Sequence, residues 1–121
     1  MEGLTEDLKS LITQIKPAMV ATCDRAGKPN VSPKGSLGIL DDQHLVFVDV
    51  RSPQTISNLL ENPQLSMIGY DPLQQKGWRV WGRADDILTS GELYDQFSRA
   101  YAQKGKVNHV VKVLVEKAIV F

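Results

Sequence analysis

At 121 residues the chain has the size of one domain, and its 42% apolar and 23% charged residues exclude disordered and fibrous classes. Fourteen basic side chains balance fourteen acidic ones, which argues against a general polyanion binder, since nucleic-acid affinity rests on neutralising several phosphates at once. One cysteine (Cys23) permits no internal disulfide, two histidines (His44, His109) make no zinc cluster, and no apolar run nears the roughly 20 residues that span a bilayer, so a cytoplasmic protein is expected.

Leu4, Leu8, Leu11, Ile12 and Ile15 recur at helical spacing until Pro17, which predicts an amphipathic helix over 4–15. Met19 to Cys23 reads as a strand, and Asp24 to Lys28 as a hairpin loop with Gly27 at its turn. The return strand starts near Asn30 and meets Pro33, which lacks an N–H and so implies a sheet edge or a bulge. Leu37–Leu40, a turn at Asp41–Gln43 and His44–Val50 predict a further hairpin, with His44 in solvent.

Ser52-Pro53 is a helix start, serine suiting the cap and proline the first helical position. Ile56, Leu59 and Leu60 should form its buried face. Leu65–Tyr70 and Trp78–Leu88 read as strands around a polar loop at 71–77. Alternation places Trp78, Val80 and Gly82 on one face of the second strand and Arg79, Trp81 and Arg83 on the other. Thr89 and Glu92 have capping-box spacing before a helix carrying Leu93, Phe97, Ala100 and Tyr101. Val107–Phe121 predicts a last strand, with Val111, Val113 and Val115 facing one way. Short antiparallel strands with segregated helices point to a single barrel-like α+β domain over residues 1–121.

Three segments can carry chemistry. Arg51-Ser52-Pro53-Gln54-Thr55 joins a helix N-terminus to a guanidinium and hydroxyl and amide donors, which suits a phosphate; it also reads as an ordinary cap beside a solvated arginine. Asn30 to Gly35 is a broken strand offering backbone groups and the Lys34 cation to a flat heteroaromatic ring, or else a strand-end bulge with a surface lysine. Trp78 to Arg83 sets an aromatic between guanidinium groups, suited to an anionic aromatic ligand or a subunit contact. Cys23 reads as an inert thiol, Ser36 lacks a nucleophile-elbow setting, and His109 is either a general base or a structural side chain. None of these names a catalytic residue or a metal site.

The run from Ala21 to Pro72, followed by Gly77 to Ile87, resembles the pyridoxamine 5′-phosphate oxidase-like FMN-binding split-barrel family, in its short members. The resemblance implies a mainly β fold with flanking helices, a six-stranded antiparallel split β-barrel, forming a homodimer with FMN at the subunit interface. By the same resemblance Val31, Ser32, Pro33 and Lys34 run beside the flavin ring, and Val48 and Asp49 line the ribityl side. Arg51, Ser52, Gln54 and Thr55 hold the phosphate, and Trp78 of the partner chain approaches the flavin. Many relatives have a lysine where this chain has Gln54, a departure that weakens the expected phosphate site. Pyridoxamine 5′-phosphate oxidase activity itself is not expected, because the chain stops at Phe121, short of the substrate-binding region of that enzyme. The implied function is a flavin-dependent oxidoreductase or electron carrier; a non-catalytic flavin or phosphorylated-heterocycle binding module, or a degenerate dimeric barrel, stays open.

Overall fold

The computed structural model describes residues 3–121. Helix α1 (Glu6–Gln14) is followed by β1 (Ala18–Cys23), β2 (Pro29–Lys34), β3 (Gly38–Ile39), β4 (His44–Asp49), helix α2 (Pro53–Glu61), β5 (Gln64–Asp71), β6 (Lys76–Leu88), helix α3 (Glu92–Ala100) and β7 (His109–Val120). The seven strands form one antiparallel sheet in the order β2-β1-β5-β6-β7-β4-β3. The seventh strand, beyond the six expected, is the two-residue β3.

The first and last strands of that order are consecutive in the chain. Seven strands laid flat would separate their outer members by about 29 Å, at roughly 4.8 Å per strand. Only residues 35–37 join β2 to β3, so Lys34 and Gly38 lie within about 15 Å, four Cα steps. The sheet therefore has to curl until its two edges meet, and it encloses an interior. Trp78, Phe47, Leu45, Met67, Val20, Val80, Val111 and Val113 fill that interior, and Leu4, Leu8 and Ile12 of α1 join the same core. The predicted face of Trp78, Val80 and Gly82 is the buried one.

Pro33 lies within the strand rather than breaking it, because β2 is an edge and one side of it needs no ladder donor. The β1–β2 register runs without a bulge from Ala18↔Lys34 to Cys23↔Pro29. α2 packs on β1 and β2 through Thr55, Ile56, Asn58 and Leu59, with Asn58 Nδ2 donating to Thr22 Oγ1 at 3.0 Å. Leu60, expected on that face, is 71% exposed, since the helix turns it away from both strands. β4 is buried on both sides: Leu45 and Phe47 face the barrel, while Val46 and Val48 meet a second core with Leu93, Tyr94 and Phe97 of α3.

Two local expectations are corrected. The Thr89/Glu92 capping box does not form, because Gly91 takes the cap position at φ 99°, and no side chain caps α3. His44 is held rather than solvated: Nδ1 lies 2.8 Å from Asp41 Oδ1 and Nε2 3.2 Å from Asp85 Oδ2, tying the β3–β4 turn to β6.

Gly69 faces Trp78 across the β5–β6 pair, and a Cβ there would fall 2.4 Å from the indole Nε1 and 3.0 Å from the Ile15 carbonyl. The fully buried indole has nowhere to move. Gly69→Ala is expected to lower unfolding stability by about 1–3 kcal/mol, read as a lower midpoint in urea, and an unchanged midpoint would show that the indole repacks freely.

Candidate functional site

Where the curled sheet closes, the ends of β2 and β4 meet the start of α2. Lys34 ends β2 with its side chain turned inward, and the residue is 6% exposed. Its ammonium bonds to the Ser52 hydroxyl and stands 5.7 Å from the centroid of the Phe47 ring. None of the ion pairs among the described residues involves Lys34. Burial pushes its pKa below the ordinary lysine value, with the Asp49 charge pulling it back part of the way.

The Asp49 carboxylate behind it is engaged elsewhere. Oδ1 accepts the Ser52 backbone N–H at 2.7 Å, and Oδ2 accepts from His109 Nδ1 at 2.7 Å. Both contacts follow from position: β4 pairs with β7 in the register Asp49↔His109, and the chain turns at once into α2. Asn108 N–H also donates to the Asp49 carbonyl at 2.8 Å, so the bend at 50–52 is pinned from three sides.

Ser52 occupies the cap position of α2 with Pro53 at the first helical position, but its hydroxyl makes no capping bond. It accepts from Lys34 instead. The backbone N–H groups of the first turn thus keep the partial positive charge of a helix N-terminus. Arg51 is exposed beside it.

These groups border an open cleft of about 480 Å³ walled by Ser32 to Ser36 of the seam, by Val48 and Val50 to Ser52, and by Tyr101 and Lys104 beyond α3. That volume falls within the range of small-molecule and cofactor sites. A second, wider cleft on the other side of residues 50–52 is floored by Ile56 and Leu60 and bordered by Asn108 and His109.

Of the residues expected at a cofactor site, Ser32, Pro33, Lys34, Val48, Arg51 and Ser52 line the first cleft, and Asp49 supports it from behind. The others lie elsewhere. Val31 is 57% exposed on the opposite side of the edge strand. Gln54 donates through Nε2 to Asn58 Oδ1 at 2.8 Å, one helical turn on. Thr55 is fully buried, and its hydroxyl donates to Ser32 Oγ at 3.1 Å, fastening α2 to β2. Trp78 is fully buried in its own barrel and lines neither cleft. Three contributors escaped the sequence reading: Tyr101 and Lys104, brought in by the packing of α3, and Ser36, whose hydroxyl accepts the Val48 N–H at 3.0 Å and holds the seam to β4.

Residues 4–118 match the family model described as pyridoxamine 5′-phosphate oxidase. The chain belongs to that family. No curated protein matches it. Among solved structures, HupZ of Group A Streptococcus is 30% identical with a TM-score of 0.86, covering 95% of this chain and 91% of HupZ. An FMN-binding protein from Syntrophomonas wolfei shares the fold at 18% identity and a TM-score of 0.83, over 93% of this chain and 82% of the other. HutZ of Vibrio cholerae, a heme storage protein, shares it at 18% identity and a TM-score of 0.72, over 98% and 94%. This family member thus has the split-barrel fold of both flavin-binding and heme-associated proteins.

The buried ammonium sets a pH-dependent stability. Below its depressed folded pKa, Lys34 is charged in both states and the folded state bears the desolvation cost. Between that pKa and 10.5 the unfolded chain binds more protons, so folding stability rises with pH, and above 10.5 the cost is gone. Lys34→Met is therefore expected to unfold at higher temperature than the native chain at neutral pH, with the difference shrinking toward pH 10.5. Melting curves at several pH values check this; a variant less stable at every pH would mean that the Ser52 bond outweighs desolvation.

Proposed function

We propose that this protein binds FMN in the cleft at the barrel seam and works as a flavin-dependent oxidoreductase or electron carrier. One observation carries the reading: the Lys34 ammonium is buried beside the α2 N-terminus and Arg51, and it forms no ion pair among the described residues. A buried cation that meets only a hydroxyl and a ring face is a site shaped for a negative group. The cleft also offers an edge strand and the apolar Val48 and Val50 to a flat ring. The residues present therefore fit the group.

In this reading Arg51, Ser52 and the first turn of α2 hold the phosphate, while Ser32, Pro33 and Lys34 flank the ring. FMN would supply hydride and one-electron chemistry, and the protein orients it and sets the charge around it. Gln54, spent on Asn58, leaves Arg51 as the formal charge for the phosphate. A homodimer accords with the exposed apolar groups on the outer face of β1 and β2, Met19 and Val31, beside a groove reaching Ile68 and Trp81. A cytoplasmic setting accords with the single free thiol.

A second reading rests on a separate residue. His109 is oriented through Nδ1 by the Asp49 carboxylate, while Nε2 has no partner among the described residues and borders the wider cleft with Ile56 and Leu60. An imidazole held by a carboxylate beside a cavity with an apolar floor could serve as a ligand to haem iron.

Titration with FMN, followed by flavin fluorescence, should show saturable binding near one per chain. Arg51→Ala and Lys34→Ala should each weaken it by about tenfold or more, as loss of a charge-assisted hydrogen bond requires. Absence of saturation at micromolar FMN overturns the flavin reading. Parallel titration with haemin, giving a Soret band that His109→Ala removes, would favour the second reading.

A further inference from the structure

Every lysine except Lys34 is half-buried or exposed. Lys34 alone is buried, at the wall of the open cleft, with the Phe47 ring near its amine and the Ser52 hydroxyl as its one hydrogen-bond partner among the described residues. Asp49, the carboxylate behind the site, has both oxygens committed to Ser52 N–H and His109, so it does not hold the ammonium as a pair. Desolvation lowers the proton affinity of the amine further. Such an amine is the usual requirement for imine chemistry at lysine.

We propose that Lys34 is a nucleophilic amine that condenses reversibly with a small aldehyde carrying a phosphate group. The proposal rests on the cleft being an anion site: Arg51 and the first turn of α2 hold the phosphate, and Lys34, bonded to the Ser52 hydroxyl beside that turn, meets the carbonyl carbon of the same small molecule.

The condensation needs no oxidant, reductant or metal. The ammonium first yields a proton to solvent by way of the Ser52 hydroxyl. The nitrogen lone pair then forms a C–N bond as the carbonyl π pair moves to oxygen, and one proton passes from nitrogen to that oxygen. The carbinolamine next breaks its C–O bond and loses the remaining N–H proton, releasing water and leaving the C=N double bond. A phosphate lodged beside Lys34 without an aldehyde favours the ammonium instead, so FMN and the imine are alternative occupants of one site.

The test uses the native protein with pyridoxal 5′-phosphate as the probe, sodium borohydride as the hydride source that fixes the imine, and peptide mass mapping. Lys34 should be labelled before any other lysine, and added FMN or inorganic phosphate should slow its labelling alone. Pyridoxal without the phosphate should label it about tenfold more slowly, the loss expected when a charge-assisted contact is missing. Lys34→Arg should erase that label while surface lysines keep theirs; the protection by phosphate gives the same information without a variant. Labelling of all lysines in proportion to exposure, in a protein that binds FMN, overturns the proposal and leaves the anion cleft standing. Equal labelling together with no FMN binding overturns both.

Discussion

Three residues hold the two edges of this sheet together. Because only 35–37 separate β2 from β3, and these strands stand at opposite ends of the strand order, the sheet has to curl, and its concave side becomes the core. The same link decides where the site lies. Lys34 is the last residue before the crossing, on an edge strand whose backbone is open and whose side chain points inward. Ser36, within the crossing, is fastened to the middle of β4 through the Val48 N–H. The seam is thus firm enough to hold a charged group in one place, and open enough for a ligand to reach it.

The charges around the seam are deliberately unequal in their satisfaction. Asp49 is 3% exposed, yet both of its oxygens accept short hydrogen bonds, so its burial is compensated. Lys34 is nearly as buried, and its one hydrogen-bond partner among the described residues is a hydroxyl, with only the Asp49 charge at a distance to offset its burial. A direct Lys34–Asp49 pair would have balanced the site internally and left nothing for a ligand to add. An anion bound at Lys34 in the folded state alone would stabilise that state by mass action.

Much of this was legible in the residues. Alternation over Trp78–Val80–Gly82 gave the inward face of β6, because it depends on local chemistry alone, and of the edge or bulge that Pro33 implied the structure has the edge. Resemblance supplied the family and placed Lys34, Arg51 and Ser52 in one cleft. What no local pattern shows is the three-dimensional competition for hydrogen bonds. Ser52 has a good capping sequence, but the buried Lys34 claims its hydroxyl. Thr55 and Gln54 looked like phosphate donors, yet Ser32 and Asn58 stand within their reach and take them. The Asp49–His109 contact joins residues 60 apart, and only the β4–β7 register, which no local pattern encodes, brings them together.

That contact also explains how one bend can serve two cavities. Residues 50–52 form the wall between the cleft at Lys34 and the one at His109, and Asp49 anchors the wall by one oxygen on each side. The Oδ1 bond fixes Ser52, and with it the start of α2 and the hydroxyl facing Lys34. The Oδ2 bond fixes the imidazole of His109, which borders the wider cleft. The two clefts thus share one buried carboxylate. A single barrel with a buried carboxylate at its seam thereby sets a buried cation beside one cavity and a carboxylate-held imidazole beside its neighbour.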